Sequence, residues 1–291
     1  MTSQVMETGR RCPSMRTMSA TASAPAPVAR HQPFGEHLRF WRQHRRLSQL
    51  DLAHEAEIST RHLSFVETGR AAPSREMVLR LAERLQVPLR ERNTLLVAAG
   101  YAPMYRERPL DDPGMGAARE AVELILRGHE PYPAVALDRH WNLVLTNRMV
   151  APLLAGVDAA LLQPPVNVAR LSLHPGGLAQ RIVNLGQWRH HLFERLHQQL
   201  RATGDRQLAA LQQELAGYPV PEGAAQPHLA GELLGVVMPL QLRSDKGVLS
   251  FISTTTVFGS PVDVTLQELA LETFFPADAA TGEALRTLAA S

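Results

Sequence analysis

The chain has 291 residues and a single cysteine, Cys12. One thiol excludes an intrachain disulfide framework and any zinc site built on cysteines. No run approaches the roughly 18 consecutive apolar residues of a membrane-spanning helix. The Arg10-Arg11 pair has no apolar stretch behind it, so no secretion signal is expected. The expected setting is cytoplasmic, at the nucleoid, with no membrane partner. Catalytic constellations are missing too. His54-Glu55 and His129-Glu130 open an H-E-x-x-H zinc-protease pattern, but Ile58 and Pro133 stand where the second histidine belongs. His190 and His191 are adjacent and face different ways on a helix, which makes a poor metal pair. Gly114-Met115-Gly116 lacks a third glycine and follows no strand, so it is no dinucleotide loop. There is no internal repeat. These absences predict a non-enzyme with no metal and no cofactor, leaving room only for a bound small molecule.

What is present is divided unevenly. The composition, 45% hydrophobic and 20% charged, suits a soluble globular chain long enough for two domains. The net charge of +2 hides an asymmetry. Residues 1–110 carry 17 Arg/Lys against 10 Asp/Glu, net +7, whereas residues 111–291 carry 13 against 18, net −5. A basic first third points to a polyanionic partner for that part alone. Residues 1–33 are rich in Ser, Thr, Ala and Pro without apolar period and read as a disordered arm. Residues 34–99 are strongly helical, and the Pro- and Gly-punctuated 100–118 reads as a linker or a connection packed against both domains. Residues 119–278 form a second domain, followed by a tail over 279–291.

Between Phe34 and Ala99 the periodicity fits five short helices. The first puts Phe34, Leu38 and Trp41 on one face, with Arg39, Arg42, Arg45 and Arg46 elsewhere as a possible phosphate face. Ser48 can cap the second helix, with Asp51 in the capping-box position. Ser59 can cap the third, whose Leu63 and Val66 turn inward with Ile58. Gly69 is free to take the left-handed C-cap. Met77, Val78, Leu81, Ala82 and Leu85 line the fourth helix, and Pro88 restarts the chain into the fifth. Glu67 fits a bond within the domain better than a DNA contact.

The stretch LSQLDLAHEAEISTRHLSFVETGRAAPS, with the later LAERLQVP, resembles the phage-repressor and Cro-like (XRE family) helix-turn-helix. The family usually has glycine in the turn where this chain has Glu57, a departure costing roughly 1 kcal/mol. The resemblance implies double-stranded DNA as partner and a homodimer on an inverted-repeat operator. Thr60, Arg61, Ser64 and Phe65 then read base edges in the major groove, Arg61 suiting guanine and Phe65 a thymine methyl. Gln49, Arg70 and Arg75 hold phosphates, and Ser59 at the start of the reading helix is counted with this set.

Beyond the linker the pattern is mixed. A helix is expected over Ala117–Arg127, strands over Pro133–Asp138 and Trp141–Thr146, and a helical stretch over Gly177–Leu215 with Leu185, Trp188, Leu192 and Leu196 on one face. Val236–Arg243 and Val248–Phe258 read as a hairpin, and Val264–Phe274 as a closing helix capped by Asp263. The fold class is therefore a multidomain chain: an all-α domain, then an α+β domain with one antiparallel sheet and helices to one side. Such a domain can hold a small molecule, and a dimerisation or protein-binding module without an effector fits the composition equally.

The runs YPAVALDRHWNLVLTNRMVAPLL, VARLSLHPGGLAQRIVNLGQWRHHLFERL and FGSPVDVTLQELALETFFPAD resemble the ligand-binding domain of MmyB-like regulators. That resemblance implies a PAS-like fold with a cavity for a small hydrophobic, fatty-acid-like effector. Trp141 and Asn147, near the sheet-to-helix turn, and Trp188 and Phe251, as wall, are the candidate ligand residues; ordinary core, or a cap for Asn147, is the competing reading of each.

Overall fold

Serine caps set the frame of the first domain. In the computed structural model, which describes residues 33–219, 238–259, 261 and 263–290, Ser48, Ser59 and Ser74 each accept a backbone N–H three residues on. Each satisfies one orphan donor of a helix start. The expected arm (apart from Pro33), Cys12 and the first two residues of the strand expected over Val236–Arg243 lie outside the described residues. The caps open α2 (Gln49–Glu55), α3 (Thr60–Glu67) and α4 (Arg75–Arg84); α1 (Phe34–His44) and α5 (Leu89–Ala98) start after Pro33 and Pro88. Asp51 closes the capping box by accepting the Ser48 N–H at 3.0 Å. Glu57 takes φ 55° in the turn, and Gly69 takes φ 73° after α3. Phe34, Leu38, Trp41, Leu52, Leu63, Val66, Leu81 and Leu85 fill one core. Gly35 is required for it: a Cβ there would sit 2.3 Å from the Glu67 carbonyl oxygen, so only glycine lets α1 approach α3 so closely.

The second domain is PAS-like and α+β. Its five-stranded antiparallel sheet runs in the order β2-β1-β5-β4-β3, from β1 (Ala134–Leu137), β2 (Leu143–Thr146), β3 (Leu240–Ser244), β4 (Gly247–Val257) and β5 (Ala270–Pro276). The helices are α6 (Gly116–Gly128), α7 (Val168–Leu173), α8 (Leu185–Thr203), α9 (Arg206–Ala216), α10 (Val264–Glu268) and α11 (Ala279–Ala290).

Four expectations are corrected. The helix expected over Val264–Phe274 stops at Glu268, and the rest is β5, paired on both sides by β1 and β4. Its Leu271 faces α6 while Glu272 and Phe274 face the opposite core. Burial on both faces removes the alternation by which a strand is recognised. Second, helices cover both sides of the sheet, with α6 packing Val122 and Leu126 on Ala134 and Ala136, and α8 laying Trp188 and Leu192 towards Phe251 and Leu242. Third, the expected tail is α11, with Leu285 fully buried. Finally, the stretch from Gly177 is two helices, broken where Gly204 takes φ 65°, and the first begins only at Leu185. The stripe Leu185, Trp188, Leu192, Leu196 is buried as its spacing predicts.

Segment 100–118 packs against both domains. Asn93 on α5 accepts the Met104 and Tyr105 N–H groups and donates to the Tyr105 carbonyl. On the other side Arg108 reaches the buried Asp263 at 3.2 Å, and Thr265 donates to the Arg108 carbonyl at 2.7 Å.

Candidate DNA-reading face and effector cavity

Leu63 and Val66 anchor α3 in the core, which turns Thr60, Arg61, Ser64 and Phe65 outward. Arg61 is exposed, and Thr60, Ser64 and Phe65 are half-buried. The Phe65 ring lies between two guanidiniums, Arg61 at 5.4 Å and Arg70 at 6.0 Å from its centroid. Among the described residues no acidic side chain pairs with Arg61, Arg70 or Arg75, so these cations remain available to an external anion. Ser59 has its hydroxyl on the His62 N–H as a cap.

Behind this face sits Glu67, with its side chain wholly buried. It accepts from Arg42 Nε at 2.6 Å, Arg42 Nη2 at 3.1 Å and Gln49 Nε2 at 2.8 Å, and Arg39 lies 3.6 Å away. Burial pushes the Glu67 carboxyl up. The hydrogen bonds from Arg42 and Gln49 and the charges of Arg42 and Arg39 outweigh that and hold it below the usual carboxylate range. Glu67 therefore ties α1, α2 and α3 together. Two sequence expectations change with it. Gln49 has one amide N–H directed inward to Glu67. Arg42 and Arg45 are not a phosphate face: Arg42 is held by Glu67 and the Leu47 carbonyl, Arg45 by the carbonyls of Leu85 and Gln86.

In the second domain an apolar cavity of about 100 Å³ lies between the sheet and α7 and α8. Trp141, Trp188 and Phe251 line it, with Leu192, Leu242 and Phe274. Asn147 does not. Its amide donates to the carbonyls of Leu126 and Tyr132 and its oxygen accepts the Ala134 N–H. It is buried as a knot joining α6, the turn before β1 and the end of β2. With both amide N–H groups spent on backbone carbonyls and no place in the cavity lining, Asn147 is not positioned to hold a ligand there.

Sequence reasoning missed the polar edge of this cavity. Glu272 on β5 lines it and accepts from Arg195 Nη1 at 2.8 Å. The Arg195 guanidinium also covers the Trp141 ring at 4.8 Å. Trp141 itself takes φ 68°, a left-handed conformation that strains a bulky side chain, and is held there by donating to Gln199 at 2.8 Å. The one legible signal was a carboxylate set inside the apolar run Leu271–Phe275. Trp141 and Arg195 also border a larger cleft of about 840 Å³, with charged side chains among its lining, that reaches α5. Trp141, Arg195 and Glu272 thus separate the apolar cavity from the cleft between the domains.

The domains are joined at α5 and α10. Gln267 accepts the Leu89 N–H at 2.7 Å, and Glu268 accepts from Arg90 Nε at 2.8 Å and Nη2 at 3.0 Å. Arg90 also binds Glu107 of the connecting segment. The Glu268 hydrogen bonds raise the Arg90 guanidinium pKa further still, so this cation stays charged throughout.

Among the described residues no cluster of His, Cys, Asp or Glu suits a metal ion, and no helix is long and apolar enough to cross a membrane. A comparison with curated proteins finds no match. Residues 33–95 match the model of a helix-turn-helix domain. Residues 118–288 match the MmyB-like transcription regulator ligand binding domain. With more than half its length in that second match, behind a domain built to read DNA, the chain belongs to the MmyB-like transcription regulators.

Proposed function

We propose that this regulator binds a specific DNA site through α3 and alters that binding when a small hydrophobic molecule occupies its apolar cavity. One observation supports the coupling above the rest. Strand β5, which supplies Glu272 and Phe274 to the cavity, follows α10 after a single residue, and α10 is bonded to α5 of the reader. A ligand pressing on β5 therefore acts on an element already fixed to the DNA-binding domain, the kind of differential contact that coupling requires. The effector is fatty-acid-like in being mostly aliphatic. At about 100 Å³ the cavity is smaller than the roughly 300–1,000 Å³ of drug-sized sites, so it fits a compact molecule better than a long acyl chain.

A homodimer on an inverted repeat is part of this reading, since one small module gives limited affinity and specificity. An exposed apolar strip on the sheet face away from the cavity favours it. Val248 and Phe275 are each more than 40% exposed there, Ile252 pairs with Phe275, and His129 packs edge-on against the Phe275 ring at 4.7 Å.

The test is selection of DNA from a random pool by the intact chain, followed by anisotropy titrations of the recovered site. Enrichment of one sequence is expected; uniform binding of every sequence would count against the reading. Arg61→Ala should then cost about 1–3 kcal/mol on the selected site and relax preference at one base pair. An equal loss on all sequences would make Arg61 a phosphate contact instead. Arg75→Ala should weaken specific and random DNA alike and reduce the salt slope by about one. A base-selective loss would overturn that assignment.

A further inference from the structure

Helix α6 is docked by one face. Val122 and Leu126 pack on Ala134 and Ala136 of the sheet, and the opposite face is open. Leu124 stands there 67% exposed, with Ile125 beside it 43% exposed. Single exposed apolar residues are ordinary, but large ones grouped on a fixed helix mark a contact surface. The spacing around them is that of a helix-pairing seam: Ala117, Ala121, Leu124 and Gly128, all exposed, recur at intervals of four, three and four. Leu124 supplies the bulk, and its small neighbours leave room for the same leucine on a facing helix. The apolar surface continues past the helix end, where His129, the C-cap of α6, packs against Phe275.

The charges decide the partner and its direction. Glu120 and Arg127, seven residues apart, occupy the same flank of this seam, and both are exposed. Glu120 has no ion pair among the described residues, and Arg127 reaches Glu123 of its own helix at 3.6 Å. In a parallel pair this flank would face the other one, where Ala118 and Ile125 carry no charge. In an antiparallel pair equivalent flanks meet, and a two-fold axis sets Glu120 of each copy beside Arg127 of the other. A surface that complements itself in this way suits a second copy of the same chain. We propose that α6 pairs antiparallel with α6 of a second copy, Leu124 and Ile125 forming the apolar centre and Glu120 and Arg127 the reciprocal ion pairs. The proposal rests on the homodimer reading above and names its interface. The helix is already formed and fixed to the sheet, so pairing orders little that folding has not ordered.

Sedimentation velocity of the full chain at micromolar concentration tests this. The parent should be dimeric and Leu124→Arg monomeric, with Tm near that of the parent because the side chain is exposed. Glu120→Arg and Arg127→Glu should each raise the dimer dissociation constant about tenfold, since each sets like charges together on both sides of the two-fold axis. The variant carrying both substitutions should recover the parent's dimer. Loss of the internal Arg127–Glu123 pair does not account for such a recovery, because the double variant lacks that pair too. A dimer that survives Leu124→Arg, or a double variant as weak as the single ones, overturns the α6 interface and leaves the homodimer to another face. A parent that is monomeric both free and on its selected DNA overturns the homodimer reading as well.

Discussion

Glu67→Ala should destabilise the helix-turn-helix domain by about 3–5 kcal/mol, the usual result of removing one partner of a buried ion pair. The Arg42 side chain is only 11% exposed, so it would keep its charge with the Leu47 carbonyl as its main remaining partner. Gln49 and Arg39 would lose their inward partner as well. Urea unfolding followed through hydrogen exchange of the α3 amides measures the loss. A change below about 1 kcal/mol would mean that the buried pair contributes little over an apolar replacement, as happens in some proteins. The pH dependence has a definite sign. The Glu67 carboxyl titrates below its ordinary 4.5 in the folded chain. Its contribution is therefore complete above that value and is lost as pH falls through the folded pKa. Glu67→Ala should flatten this acid limb of the stability curve.

The second large effect concerns communication rather than stability. Arg90→Ala combined with Gln267→Ala removes the side-chain bonds between α5 and α10. Both residues lie away from α3, so affinity for the selected DNA without effector should change little. The ratio of DNA affinities with and without a filled cavity should collapse to near one, from the roughly 5- to 150-fold typical of coupled sites. Arg139 is expected to carry only a remnant, through its charge near Glu91 on α5, since its ion pairs with Glu268 and Asp205 lie within the second domain. Paired anisotropy titrations of parent and double variant decide this. An undiminished ratio would place the coupling in segment 100–118, through Arg108 and Asp263, and not in α10.

The reader was legible in the sequence because its determinants are local. Caps at Ser48 and Ser59, Gly69 after α3, and inward Leu63 and Val66 follow from the order and spacing of residues along one segment, and the turn at Glu57 from the family resemblance. What spacing does not carry is a long-range partner. Arg42 and Arg45 look like surface cations until Glu67 and the carbonyls of Leu85 and Gln86 are brought to them by folding. Gly35 looks like an indifferent helix residue until α3 crosses it.

In the second domain the same limit costs more. Strand β5 lies between β1 and β4, and its solvation pattern depends on which helices cover each face. Read without them, Val264–Phe274 passes for a helix. Trp141, Trp188 and Phe251 border the cavity, as large aromatics tend to line whatever space a domain encloses. Asn147 was misassigned because a buried amide serves a backbone knot as readily as a ligand. Glu272 was missed because its partner Arg195 lies far away in sequence, on α8.

The most direct test of the account is the affinity of the intact chain for its selected DNA site, measured with the cavity empty and with an apolar probe that calorimetry shows to be bound. The account predicts a shift of at least about fivefold, the lower end of ordinary allosteric coupling. An affinity unchanged while the probe occupies the cavity would contradict it, leaving a DNA-binding protein whose second domain serves assembly alone.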